Sequence, residues 1–213
     1  FTRKPPPTPR AWQAHVITIM GDGSPRTLAD PFAVAIAEDG TVYVSDAGES
    51  NLIRKISPEG NVTVLAGGNE GFADGAGAQA SFNTPSGLAI DADGNLYVAD
   101  TGNNRIRKVT PEGVVTTIAG DGTAGYADGP AAQAKLNGPI GVAVDQNGNV
   151  YVADTYNDRI RKISTDGQVT TIASGETFNT PCGIAVAADG TLTVADTGNN
   201  QLRRIAPDGN AWS

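Results

Sequence analysis

Two stretches place an aromatic ring two residues before a carboxylate: Gly71-Phe72-Ala73-Asp74-Gly75 and Gly125-Tyr126-Ala127-Asp128-Gly129. They lie in longer segments, 71–80 and 125–134, that match at a shift of 54 residues. A flat ring beside an acid suits recognition better than bond-making: the ring packs on an apolar or sugar face while the acid takes hydrogen bonds or a cation. The polar turns Asp100–Asn104 and Asp154–Asp158 are expected on the same side of the molecule. The candidate contact residues are therefore Phe72, Asp74, Tyr126 and Asp128, with Asp100, Asn104, Asp154 and Asp158 beside them. The partner class they suit is a protein, a peptide or a glycan. The competing reading makes both loops packing plugs, with Phe72 and Tyr126 tucked against a sheet edge.

Catalytic chemistry finds little to work with. His15 is the single histidine, which leaves no histidine-based zinc site. Asp91-Ala-Asp-Gly94 carries the first acids of a calcium loop without the later ones, so it reads as a hairpin turn. No catalytic residue and no metal ligand is expected, and no cofactor. Cys182 stands alone and forms no internal disulfide. Ten of the fifteen Lys and Arg fall in four similar segments, including Arg54, Arg107, Arg161 and Arg203, each next to an acid such as Asp100 or Asp154. Pairing with those acids accounts for them. A net charge of −8 argues against a nucleic-acid partner, because a phosphate-binding face needs a basic excess. No apolar run is long enough for a membrane helix, so membrane insertion is not expected.

The elements that hold these residues come from a repeat. The words Asn95–Val109 return as Asn149–Ile163, with weaker copies from Thr41 and Thr191, and the acid closing each first half is Asp46, Asp100, Asp154 and Asp196. A period of this size marks stacked supersecondary units. Each unit predicts four short strands: a small apolar one such as Ala33–Ile36, then Tyr-Val-Ala-Asp, then Arg-Ile-Arg-Lys, then a Val/Thr-rich one. Asp39-Gly40, Asp93-Gly94, Asn147-Gly148 and Asp189-Gly190 predict tight two-residue turns between the first two. Four antiparallel strands with a small-residue innermost strand describe a propeller blade. The expected fold is all-β, a four-bladed β-propeller over 13–213 behind a proline-rich linker at 1–12. The last unit lacks a good fourth strand, since 210–213 is very short. His15–Met20 resembles a fourth strand and is expected to close the last blade.

The words Pro-x-Gly-hydrophobic-Ala, Asp-Gly-Asn-hydrophobic-Tyr-Val-Ala-Asp-Thr-x-Asn and Arg-Ile-Arg-Lys resemble the NHL repeat over roughly 31–209. The resemblance implies a β-propeller. Such propellers are most often six-bladed, so an excised part of a six-bladed ring is the alternative to a complete four-bladed one. A chain starting at Phe1 fits a processed or excised piece. Propellers of this general kind include metal-dependent lactonases and an amidating lyase. The alternative function is thus a calcium-dependent, lactonase-like hydrolase with calcium at the axis, held by Asp91, Asp145 and loop carbonyls. The primary expectation is a non-catalytic binding or scaffold module, in style a bacterial periplasmic or extracellular one.

Overall fold

The computed structural model describes residues 28–174, 178–207 and 211–212. It is all-β, with four antiparallel sheets arranged as a four-bladed β-propeller. The first blade is β1 (Pro31–Ile36), β2 (Val42–Asp46), β3 (Leu52–Ile56) and β4 (Val62–Gly67). The second is β5 (Gly75–Ala76), β6 (Pro85–Ile90), β7 (Leu96–Asp100), β8 (Arg105–Val109) and β9 (Val114–Ala119). The third repeats it as β10 (Gly129–Pro130), β11 (Pro139–Val144), β12 (Val150–Asp154), β13 (Arg159–Ile163) and β14 (Gln168–Ser174). The fourth is β15 (Pro181–Val186), β16 (Leu192–Asp196), β17 (Gln201–Ile205) and β18 (Ala211–Trp212). The innermost strands stand side by side in the order β1, β6, β11, β15.

Strand alternation gives each blade two apolar faces. One, the tyrosine face, carries Tyr97, Ala99 and Ile106 in blade two; the other, the valine face, carries Leu88, Leu96, Val98 and Val109. The tyrosine face of each blade packs on the valine face of the next. Tyr43 and Ile53 meet Leu96 and Val98. Tyr97 and Ile106 meet Val150 and Val152. Tyr151 and Ile160 meet Leu192 and Val194.

At the axis the blades converge until only glycine fits. A Cβ on Gly87 would stand 2.3 Å from the Ile140 carbonyl oxygen, and one on Gly141 would stand 2.2 Å from that of Cys182. Both glycines have ordinary backbone angles, so the requirement is space alone. Gly141→Ala is expected to force β11 and β15 apart and cost about 1–3 kcal/mol, read as a fall in the midpoint of chemical denaturation. Gly183→Ala, whose Cβ would meet only Ala195 at 3.4 Å, is expected to be nearly neutral.

Three expectations change. The hairpin loops have three residues, not two: Gly40 donates to the Ala37 carbonyl, and the Ala37 N–H donates to Thr41. Only the glycine takes positive φ, +84° at Gly40, while Asp39 Oδ1 instead caps the Thr41 N–H at 2.8 Å. The loops after β4 and β9 do not merely connect blades. Each lays a two-residue strand, β5 or β10, outside the fourth strand of the blade it is about to enter, covering an edge that would otherwise be open. Finally, Ala211–Trp212 pairs with β17 in the fourth position of the last blade, a place the sequence had suggested 210–213 was too short to fill. His15–Met20 lies outside the described residues, as does the linker.

Candidate functional site

Each second strand ends in an acid beneath the turn that follows. Asp100 is fully buried and accepts from the Asn83 N–H at 2.8 Å, Asn103 Nδ2 at 2.9 Å and Arg107 Nη1 at 2.6 Å. Asp154 repeats this with Asn137, Asn157 and Arg161. Cross-strand register explains the pairing: Asp100 opposes Arg105, so Arg107 is the next residue on the same face. Burial pushes the Asp100 and Asp154 carboxyls above the ordinary carboxylate value, against those donors. Among the described residues no long loop overlies Asp196 in blade four. Burial there is outweighed by the Asn179 N–H, Asn199 and Arg203, and the carboxyl is held below its ordinary value.

The long loops recruit the buried guanidinium. In blades one and four, arginine Nε donates directly to the acid, Arg54 to Asp46 and Arg203 to Asp196, each at 2.6 Å. In blades two and three the arginine turns. Arg107 Nη1 takes Asp100 and the Ser81 carbonyl, and Nη2 takes the Ala73 carbonyl and Asp74 Oδ1, both at 2.7 Å. Nε of Arg107 and of Arg161 is left without an acceptor. Asp74 also accepts from the N–H and hydroxyl of Thr117, at 3.1 Å each. Asp128 does the same with Arg161 and Thr171. Burial would raise the Asp128 carboxyl, but Arg161 and Thr171 together hold it below its ordinary value.

The rings lie over these cations. Arg105 sits 3.7 Å above the centre of Phe72, and Arg159 sits 4.1 Å above that of Tyr126. The outer sides of the rings remain open, with Phe72 47% and Tyr126 48% exposed. Phe72, Asp74, Arg105 and Thr117 border a cleft of about 420 Å³ together with Asp121 and Ala131.

The eight expected contact residues thus separate. Phe72, Asp74, Tyr126 and Asp128 reach the surface as two copies of one ring, acid and arginine cluster. Asp100 and Asp154 are not on that surface but beneath it, holding the arginines. Asn104 and Asp158 sit at φ near +52° in left-handed turns and reach the next blade: Asn104 Oδ1 accepts the Gly138 N–H at 2.9 Å, and Asp158 Oδ1 accepts the Thr180 N–H at 2.6 Å. Polar type and turn position marked all four in the sequence, but neither reveals a neighbour in another blade. Thr117 and Thr171, which anchor the loop acids, were missed; only their shared offset of 43 residues from Asp74 and Asp128 signals them.

Asp91 and Asp145 lie on the opposite side, at the ends of β6 and β11. Asp91 accepts from the Asp93 and Asn95 N–H groups, Asn95 Nδ2 and Tyr97 Oη; Asp145 has the matching set ending in Tyr151. Their donors occupy both oxygens of each. Among the described residues no three His, Cys, Asp or Glu side chains are grouped to share a metal. A calcium ion needs six to eight oxygens, so this donor set does not fit one, and no chemical step is derived through it.

The NHL repeat model matches residues 82–109 and 136–163, which are the core of blades two and three. Curated relatives extend the match. Protein SUPPRESSOR OF QUENCHING 1, chloroplastic, of Arabidopsis thaliana is 33% identical over 171 residues, covering 72% of this chain and 16% of that protein. NHL repeat-containing protein 2 of Bos taurus is 32% identical over 161 residues, covering 68% of this chain and 22% of that protein. The chain belongs to the NHL-repeat family. It spans less than a quarter of the length of those two relatives. Among solved structures, a streptogramin B lyase superposes with a TM-score of 0.65 at 21% identity, over 85% of this chain and 53% of the lyase. A chain of a nidogen/laminin complex gives 0.66 at 20% identity, over 85% and 63%. At these identities the likeness is one of fold alone, and a fold does not fix an activity.

Proposed function

We propose that this NHL propeller is a non-catalytic binding module that presents the outer loop surface of blades two and three to a protein, peptide or glycan. The observation that carries the reading is the duplicated cluster of a half-exposed ring, an exposed acid and an arginine stack, the blade-two copy of which borders a cleft. Each ring is held flat from behind by a guanidinium, so little side-chain entropy is lost when a ligand covers its open side. The neighbouring acid, fixed by Thr117 or Thr171, gives a ligand donor or cation a defined place to bind. Aromatic residues with small conformational freedom are the usual anchors of such surfaces.

The test is a screen of the wild-type chain on a glycan array and a displayed peptide library, repeated with Phe72→Ala/Tyr126→Ala. Ligands of this face are expected to weaken at least about tenfold, a loss of about 1.4 kcal/mol. If every ligand found binds both proteins equally, the face is misassigned. The calcium-dependent hydrolase reading predicts that added calcium raises the melting temperature; the donor sets at Asp91 and Asp145 lead us to expect no change.

A further inference from the structure

Successive blades pack alike, but on the hairpin side their junctions do not end alike. Between blades two and three a cleft of about 340 Å³ stays open. Blade two supplies Tyr97, Lys108 and Ile118 to it, and blade three supplies Val150, Ile163 and Thr165. Both walls lie within the unbroken described run 28–174. Two matching glycines show how the junctions differ. A Cβ on Gly113 would stand 2.4 Å from the Leu65 carbonyl oxygen, so the last turn of blade two is pressed onto blade one. Its counterpart Gly167, in blade three, meets nothing within 4 Å.

Lys108 is the one charged residue in the lining. It opposes Tyr97 across the strands and is half-buried, with its ammonium 5.7 Å from the centre of the tyrosine ring. The ring fixes the stem and favours the cation, but it supplies no counter-charge. Among the described residues Lys108 makes no ion pair. The junction between blades three and four differs in charge. Its cleft, of about 390 Å³, is lined by Lys162 in the matching place together with two acids, Asp145 and Asp189. Two acids for one cation make that cleft a poor site for an anion.

We propose that the cleft between blades two and three binds a small organic acid, an apolar or aromatic body carrying one carboxylate. The body lies among Ile118, Val150 and Ile163, and the carboxylate takes the Lys108 ammonium and the Thr165 hydroxyl. A charge-assisted hydrogen bond of this kind is strengthened where the apolar walls keep out part of the water. A volume of a few hundred Å³ with apolar walls and few polar groups suits a small ligand, here one of about ten non-hydrogen atoms. Ile118 also borders the cleft beside Phe72, but neither ring cluster lines this one. The inference therefore does not rest on the binding surface of the loops.

Amide NMR spectra of the labelled whole chain, titrated with phenylacetate, phenylacetamide and phenethylamine, test it. Phenylacetate is expected to shift the amides of Lys108, Ile118 and Thr165 with a Kd of about 1 mM. The neutral amide and the amine should bind at least about tenfold more weakly, the loss of a charged partner. Lys108→Met should weaken phenylacetate by a similar factor, whereas Lys162→Met should leave it unchanged; circular dichroism checks that both variants fold, and the probe series needs neither. Equal shifts with all three probes would reveal an unselective apolar groove and overturn the proposal. So would an absence of shifts with phenylacetate, or full affinity in Lys108→Met. The tripeptide Gly-Gly-Phe ends in the same group; if it shifts these amides and phenylacetate does not, the cleft takes chain ends and the proposal of a free acid fails.

Discussion

Arg107→Met is expected to destabilise the protein by about 3–5 kcal/mol, the cost of stranding a buried charge by removing its partner. Domains of this kind are stable by about 5–15 kcal/mol, so the variant should sit close to its unfolding threshold at moderate temperature. Asp100 would remain buried with the Asn83 and Asn103 donors but without a counter-charge. The loop would lose both donors that Nη2 supplies, to Ala73 and Asp74. Arg54→Met is the comparison. Arg54 is partly solvated and makes one bond through Nε, so its loss should cost nearer 1.5–3 kcal/mol, the worth of a charged hydrogen bond. Arg107→Lys separates charge from geometry. An ammonium can neutralise Asp100 but has no planar fork to span Asp100, Ser81, Ala73 and Asp74. We expect it to retain the blade and release the loop, seen as faster amide exchange at Ala73 and Ser81 with β7 and β8 still protected. Equal costs for Arg54→Met and Arg107→Met would show that the loop contacts add nothing.

That pair also marks the limit of what the sequence could reveal. Asp100 and Arg107 lie on adjacent strands with an obvious period, so their pairing follows from alternation and register. The blades, their order and the small axial strands are legible for the same reason: each is a local pattern repeated. Strands β5 and β10 are not legible, because two residues cannot alternate. Gly75–Ala76 becomes a strand only because Asp74 is tied to Thr117, 43 residues later. The same holds for Asn104 and Asp158. Their side chains read as turn residues free to meet a ligand, but a left-handed turn aims them at the next blade. The surface pair Phe72 and Tyr126 is legible as chemistry; its backing by Arg105 and Arg159 is not, since in the sequence nearby acids, across strands or between blades, account for every basic strand. Interactions inside one hairpin are written in the sequence, while those between blades must be seen.

Raising the pH from 10 towards 12 is expected to lower the melting temperature through two tyrosines. Tyr97 and Tyr151 are pushed up to about 12 from an ordinary value of 10, first by burial and then by the hydrogen bonds their hydroxyls donate to Asp91 and Asp145. A folded-state value above the unfolded one means that the neutral hydroxyl is favoured in the fold. The stability it gives is complete below pH 10 and is lost as the pH rises from 10 towards 12. A shift of this size is worth at most about 2.7 kcal/mol per tyrosine; the hydroxyls border clefts that water enters, so well under that figure is expected. The acid side runs the other way. Burial would raise Asp91 and Asp145, but Asn95, Tyr97 and their counterparts hold both carboxyls below 3.8, so their contribution is present above 3.8 and fades as the pH falls through the lowered values. Tyr97→Phe/Tyr151→Phe should therefore be less stable near neutrality by about 1 kcal/mol for each lost hydrogen bond, with a flatter fall above pH 10. Calorimetric melting curves from pH 7 to 12 decide it. Every other titratable side chain is common to both proteins, so the difference between the two curves isolates the tyrosines. Parallel curves would show that the Asp–Tyr pairs carry none of the alkaline loss.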